Sequence, residues 1–248
     1  MKKALVLIGA SSDMGIDLLR DTSDQYDKII TIYRKKSNDL VRAMSLCRSD
    51  IIELQFDFLD IDNYDYFNTE LLNITENLEG YEIHIVHFSA PKCNNNRFHK
   101  IKWNIFQKEI DISIRSFITV SQAFLPIMTT EKKGKIVVIL SYLVENIPAK
   151  YCANYITVKY ALLGLMKALA AEYSDKGITV NGVSPATVDT KYIDNQPEVL
   201  VNSWIEKSPL KRKIRTDEIT AMIKFLLSDK ADCINGENIV ISCGMMAH

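Results

Sequence analysis

Short apolar runs rich in Val and Ile alternate along the chain with longer segments whose apolar residues recur at helical spacing. The short runs predict strands at residues 3–8, 28–33, 51–56, 82–87, 135–140, 178–183 and 238–241. The longer segments predict helices at residues 14–22, 40–47, 64–78, 105–128, 155–174 and 217–227. Continuous apolar strands separated by helices are typical of a parallel sheet covered on both faces. We therefore expect an α/β protein with a doubly wound parallel sheet of about seven strands.

The alternation continues without a repeat or a flexible linker, so residues 1–248 are expected to form a single domain. Residues 187–209 interrupt the pattern, because they are too long for a connector and too apolar for a solvated loop. They predict a lid over a site. An ordinary helical excursion packed on the body is the alternative.

Composition and charge exclude several classes of function. The formal net charge of −1 gives no indication of nucleic-acid binding or of an anionic membrane surface. No uninterrupted apolar run approaches the ~20 residues of a membrane span, and the apolar N-terminus is interpreted as a buried strand rather than a signal peptide. We expect a cytoplasmic protein. The cysteines and histidines lack disulfide or metal-ligand spacing, which favours reduced thiols in a packed interior, structural histidines and no metal: Cys47, Cys93, Cys152, Cys233, Cys243, His84, His87, His99 and His248.

A glycine-containing turn lies between the first strand and the first helix. Its backbone N–H groups, together with the positive end of the helix, suit a phosphate. The predicted contacts are Gly9, Ser11, Ser12, Asp13, Met14 and Gly15. The second strand ends at Arg34 and Lys35, with no acid before Asp39. Basic groups there suit the additional phosphate of NADP, whereas an acid would bind the ribose of NAD, so NADP is preferred over NAD. A solvated charged turn is the alternative.

Tyr155 and Lys159 lie four residues apart at the start of a predicted helix, so their side chains share one face. An ammonium beside a phenol favours the phenolate and makes the tyrosine a better proton donor. Ser141 follows an apolar strand at the edge where ligands bind, and its hydroxyl can hold a substrate carbonyl near the phenol.

The order of phosphate turn, strand-end serine and Tyr-x-x-x-Lys helix resembles the short-chain dehydrogenase/reductase family along nearly the whole chain. The segments 155–165, 177–190 and 235–241 are also similar to that family. The resemblance implies a Rossmann-type fold and reduction of a carbonyl by a nicotinamide. Tyr155 would be the acid, Ser141 would orient the carbonyl, and Lys159 would bind the ribose. Further cofactor contacts are implied at Asp57, Phe58, Ser89, Ala90, Pro185, Val188 and Thr190.

Three positions depart from the family's pattern. Asp13 replaces a glycine of the phosphate turn, where it could turn outward and cap the helix. Pro91 remodels the loop beside the adenine ribose. Ser113 replaces the asparagine that anchors a proton-relay water, so it either holds that water or weakens the relay.

The nearest resemblance is to 3-oxoacyl-(acyl-carrier-protein) reductases, which implies a 3-oxoacyl thioester substrate. Those enzymes present basic residues near the active-site mouth to an acidic carrier protein, and Lys132 and Lys176 fall at similar positions. A sugar, polyol or other small ketone is one alternative, and a non-catalytic nucleotide-binding scaffold is another. The family resemblance also implies a homotetramer or homodimer, formed in part through Ala161, Leu165, Ala168 and Leu169.

Overall fold

Seven parallel strands form one sheet in the order β3-β2-β1-β4-β5-β6-β7. The structure, a computed structural model, describes residues 1–92, 95–145, 148–194 and 196–246. The strands are β1 Lys2–Ile8, β2 Lys28–Tyr33, β3 Asp50–Gln55, β4 Tyr81–His87, β5 Gly134–Ile139, β6 Ile178–Pro185 and β7 Asn238–Ile241. Every predicted strand is present, with ends within two residues of the prediction. The strand order reverses between β1 and β4, which places a ligand crevice at their carboxyl ends.

Helices cover both faces of this sheet, as the alternating pattern predicts. They are α1 Asp13–Thr22, α2 Asn38–Ser45, α3 Tyr64–Glu76, α4 Trp103–Glu109, α5 Ser116–Glu131, α6 Ala153–Glu172, α7 Glu198–Lys207 and α8 Thr216–Leu227. One core packs α3, α5 and α6 against the sheet, and a second core packs α1, α2 and α8 on the other face.

The helix predicted at residues 105–128 is interrupted. Residues Ile110–Arg115 form a π-helical turn between α4 and α5. Such turns insert an extra residue into the helix and often occur at functional sites. Apolar periodicity does not reveal this change, because it reports which face is buried and not which carbonyl each N–H contacts.

The continuous helical run Trp103–Glu131 has 29 residues and, by length and composition alone, could cross a membrane. The expectation that no uninterrupted apolar run has this length stands, because Lys108, Asp111 and Arg115 interrupt the run. In the fold, Phe117, Val120 and Phe124 of this run are fully buried in the first core. The run therefore has the packing of a core helix.

The cysteines and histidines are only partly as expected. Cys47, Cys152, Cys233 and Cys243 are free thiols, but Cys233 is exposed rather than packed in the interior. His84 is buried between the Tyr26 hydroxyl and the Glu82 carboxylate, which agrees with a structural role. Cys93, Asn195 and His248 lie outside the described residues, so the predictions that involve them stay predictions.

Candidate active site

The turn between β1 and α1 is shaped by two glycines that have no room for a side chain. Gly9 has a φ of 85°, and a Cβ atom there would lie 2.9 Å from Ser89 N. A Cβ on Gly15 would lie 2.9 Å from Ser12 Oγ, which caps α1 by accepting from Gly15 N. The backbone is thus open to close approach at the positive end of a helix, an arrangement that fits the pyrophosphate of a dinucleotide.

Asp13 turns away from this cradle and binds the loop after β6. Its Oδ2 accepts from Lys191 N at 2.6 Å, while Lys191 Nζ lies 3.9 Å from Asp13 Oδ1 and 2.7 Å from Asp39 Oδ2. Asp13 is not the helix cap considered in the sequence analysis, because Ser12 fills that position. The additional carboxylate is instead neutralised by a cation from across the crevice.

The residues predicted to contact the adenosine part of the cofactor lie at the end of β2. Arg34 and Lys35 are exposed, and they make no ion pair with any described residue. An acid is nevertheless close by, since Glu53 of β3 accepts from the Tyr33 hydroxyl at 2.5 Å and lies 2.6 Å from Lys36 Nζ. The lack of an acid at the end of β2 was therefore not sufficient to prefer NADP over NAD, because β3 supplies an acid to the same region. These two contacts lower the pKa of Glu53 and occupy its carboxylate.

The predicted adenine-side residues lie where β3 and β4 end, but they are not equally available. The Asp57 carboxylate accepts from Leu59 N at 3.1 Å, which fixes the turn after β3. The Phe58 side chain is buried against Phe56 and Phe67, so only its backbone could touch a cofactor. Ser89 packs directly against Gly9, beside half-buried Ala90.

The predicted nicotinamide-side residues follow β6. Pro185 ends the strand, Val188 is buried and pairs with Ile214, and Thr190 adjoins Lys191. Two backbone bonds hold this loop to the segment before α8, from Asp189 N to Ile214 O and from Ile214 N to Thr187 O, both 2.9 Å. These backbone bonds to the segment before α8 therefore fix the part of the loop that leads to the crevice.

Ser141, Tyr155 and Lys159 converge at the carboxyl end of β5. Lys159 is buried one turn after Tyr155 on α6, and its Nζ lies 5.7 Å from the centroid of the Tyr155 ring. The same Nζ donates to Ile139 O at 2.7 Å, two residues before Ser141. Ser141 Oγ accepts from Leu143 N at 3.3 Å, which leaves its own proton for another acceptor. Burial lowers the pKa of Lys159 to about 8, against the opposing charge of Glu109.

This site geometry has a counterpart in known proteins. The family model described as enoyl-(acyl carrier protein) reductase matches residues 27–246. The chain belongs to the short-chain dehydrogenase/reductase family. It is accordingly an NAD(P)-dependent oxidoreductase.

Relatives within the short-chain dehydrogenase/reductase family match over the full length. The 3-oxoacyl-(acyl-carrier-protein) reductase FabG of Staphylococcus aureus strain Mu50 is 25% identical, covering 99% of this chain and 98% of its own. The acetoacetyl-CoA reductase of an Acinetobacter species is 26% identical, covering 100% and 99%. The solved structure of ElxO with NADP bound superposes with a TM-score of 0.87 at 22% identity, covering 100% of both chains.

Next to Tyr155 and Lys159 lies a buried polar cluster, only part of which was predicted from the sequence. Ser113 was predicted, and it is 1% exposed within the π-helical turn. Glu109 and Asn154 were not predicted, although a single acid on the apolar face of a helix is a usable signal. Asn154 Nδ2 donates to Glu109 Oε1 at 2.8 Å, and Glu109 is 3% exposed.

The two lysines considered for carrier docking lie at the wrong edge of the sheet within one chain. Lys132 ends α5 just before β5, and Lys176 precedes β6. Ser141 follows the opposite, carboxyl end of β5. The expectation that they border the active-site mouth is therefore wrong for a single protomer.

Residues 187–209 contain α7 between two irregular segments. Val201 is buried, whereas Val199 is 82% exposed, so α7 packs on the body by only one face. Lys191 attaches the first irregular segment to α1. A helix that packs on the body by one face is compatible with both interpretations of this stretch, a lid over the site and a helical segment packed on the body.

Proposed function

We propose that the chain reduces a ketone with NADPH, and that a 3-oxoacyl thioester is its substrate. The observation that carries the reductase chemistry is the position of Lys159 Nζ, bonded to Ile139 O and held beside the Tyr155 ring. An ammonium in that position supports proton donation by the phenol. Ser141 stands two residues beyond the anchoring carbonyl and retains a donor for the substrate oxygen.

The chain's own residues have distinct tasks in this proposal. When bound, the nicotinamide supplies the hydride that reduces a carbonyl carbon. Ser141 donates to the carbonyl oxygen and so orients the ketone. Tyr155 gives its phenolic proton to the same oxygen as the alcohol forms, and Lys159 holds the cofactor ribose and stabilises the phenolate.

For the cofactor, we infer NADP rather than NAD from the two unpaired cations at the end of β2. Arg34 and Lys35 form no ion pair with the described residues, whereas the nearby acid Glu53 is occupied by Tyr33 and Lys36. A second negative phosphate would therefore meet free positive charge. The fold neighbour ElxO, whose solved structure has NADP bound, supports this preference.

For the substrate, support comes from the relatives. The Staphylococcus aureus protein is named for a 3-oxoacyl group on a carrier protein, and the Acinetobacter protein for acetoacetyl-CoA. Both names describe a ketone β to a thioester. Residues 187–209 would cover the acyl chain. Docking of an acidic carrier through Lys132 and Lys176 is not part of this proposal, because they lie at the far edge of the protomer.

We propose that the chain functions in the cytoplasm and forms a homotetramer or homodimer, the assembly that the family resemblance implies. On α6, Ala161 and Ala168 are exposed, whereas Leu165 and Leu169 are half-buried against the core. The two alanines therefore leave a flat surface to which a second copy could pack closely.

The test is NADPH oxidation with acetoacetyl-CoA and with a panel of sugars and small ketones. We expect wild-type activity on the thioester and a loss of at least about a hundredfold in Tyr155→Phe. Tyr160→Phe, an exposed tyrosine on the same helix, is the matched control and should retain the wild-type rate. Preference for a sugar or small ketone would replace the thioester assignment. Equal low rates in wild type and Tyr155→Phe would instead favour the non-catalytic scaffold.

A further inference from the structure

The carboxyl group of Glu109 is buried near Tyr155 and Lys159, where an acid pays a large desolvation cost. Glu109 ends α4 and is only 3% exposed. Burial of an unpaired carboxylate is costly, so such a group is protonated, bonded or both. In this chain its Oε1 accepts from Asn154 Nδ2 at 2.8 Å. Asn154 immediately precedes Tyr155 and is itself fully buried.

The titratable groups near Glu109 and Lys159 come from three elements. From α6, Lys159 is the cation whose charge affects it, and on its own helix Lys108 adds a second, weaker cation. From β4, His87 is fully buried, also feels the Lys159 charge, and is held neutral because burial lowers its pKa to about 3. Glu109 is therefore the acid of this cluster, with Lys159 as its principal charged neighbour.

Two buried acceptors in the cluster have no hydrogen-bond partner among the described residues. One is Asn154 Oδ1 and the other is His87 Nδ1. Ser116 Oγ donates to Ile112 O at 2.6 Å, so His87 Nε2 donates to Ser116 Oγ at 3.0 Å and leaves Nδ1 as the acceptor. Buried acceptors are rarely left unmatched, and a water bonded to Asn154 Oδ1 would lie next to the Glu109 carboxyl, where it can accept the carboxyl proton.

We propose that Glu109 is a positioning residue that returns protons to Lys159, in place of the asparagine that Ser113 has replaced. This inference rests on the proposed reductase function. Tyr155 loses its phenolic proton to the product oxygen, and the Lys159 ammonium then gives up one N–H proton to the phenolate. Through a bridging water, Glu109 transfers its carboxyl proton to the resulting amine, and the carboxylate recovers a proton from solvent. Each cycle thus consumes one solvent proton and restores every group.

The proton affinities of the two groups suit such a transfer. Burial raises the pKa of Glu109 to about 7, against the lowering effects of Asn154 and Lys159. The pKa of Lys159 is lowered to about 8. The raised pKa of the acid and the lowered pKa of the ammonium bring the proton affinities of the two groups close together, so a proton can pass between them near neutral pH.

The decisive variant is Glu109→Gln, because the glutamine carbonyl can still accept from Asn154 while it cannot titrate. In the reductase assay we expect kcat to fall about tenfold or more with KM unchanged, since the substrate contacts remain. Wild-type kcat should decline as pH rises through about 7, whereas the variant should stay uniformly slow. Adding Ser113→Asn to Glu109→Gln should recover most of the rate. Glu76→Gln, which alters an exposed carboxyl group on α3, should behave as wild type.

A second measurement does not depend on turnover. Infrared titration of the protein without cofactor should reveal a carboxylic-acid band that disappears through about pH 7 and is missing from Glu109→Gln. Wild-type kinetics in Glu109→Gln, or no such band, would overturn the relay while the reductase assignment stands. Inactivity of wild type and Tyr155→Phe alike would overturn the reductase assignment itself.

Discussion

Lys159 imposes a cost on folding that a simple pH experiment can measure. Its side chain is buried, and its pKa falls from 10.5 to about 8. Below pH 8 the ammonium is charged in both the folded and the unfolded state, so the full desolvation cost opposes folding. Between pH 8 and 10.5 the unfolded state binds more protons than the folded state. Stability therefore rises with pH across this window.

The size of the effect follows from the same two values. A fall from 10.5 to about 8 corresponds to about 3 kcal/mol, at roughly 1.4 kcal/mol per pH unit. Lys159→Met removes the titrating group and keeps much of the side-chain volume. Relative to that variant, wild type should gain about 3 kcal/mol of unfolding free energy between pH 8 and 10.5. The variant also loses the bond to Ile139 O, which affects the two pH values equally.

The assay is urea denaturation of the protein without cofactor at several pH values. Lys167→Met is the control, since Lys167 lies on the same helix and is exposed. Its stability curve should run parallel to that of wild type. If the unfolding free energies of wild type and Lys159→Met also changed in parallel with pH, Lys159 would not be a desolvated ammonium in the folded protein.

Three changes in the crevice test the cofactor assignment through fluorescence titration with NADPH and NADH. Arg34→Ala should narrow the preference for NADPH, and an unchanged ratio would argue against a phosphate contact. Gly9→Ala should abolish binding of both, because its Cβ would lie 2.9 Å from Ser89 N at a φ of 85°; retained affinity would mean that the cradle is not used. Lys191→Met leaves Asp13 poorly compensated, so affinity should fall severalfold at low salt and recover at high salt. A loss independent of salt would point to a steric cause.

The strands and most helices were predictable because their apolar pattern directly reflects burial. β2 and β7 were predicted to the residue, and the Tyr155 and Lys159 pair was singled out by its helical spacing together with its place after the phosphate turn and the strand-end serine. What the sequence did not provide were contacts between distant segments. Lys191 reaches Asp13 over 178 positions, and Glu53 reaches the end of β2 from a neighbouring strand. No local pattern encodes such pairs.

The π-helical turn at Ile110–Arg115 was missed for a related reason. Periodicity within residues 105–128 is dominated by the buried face of α5, so one inserted residue barely disturbs it. Yet that insertion changes which residues face α6. α7 was likewise left undecided, because a helix buried on only one face has an apolar pattern close to that of an irregular surface segment.

The departures from the family's pattern bear on whether the chain is an active enzyme or a decayed scaffold. A sequence that has lost its function is under no constraint to balance a new charge, and an unmatched buried acid would only destabilise it. Here the aspartate that replaces a glycine at position 13 is met by Lys191 from across the crevice. The serine at position 113 lies one helical turn from Glu109, which is bonded to Asn154 and electrostatically coupled to Lys159. The first contact offsets the charge added to the phosphate turn, and the second keeps a buried acid within electrostatic reach of Lys159. The Asp13–Lys191 pair would serve nucleotide binding with or without turnover, so the support for turnover comes from Glu109, whose burial is costly.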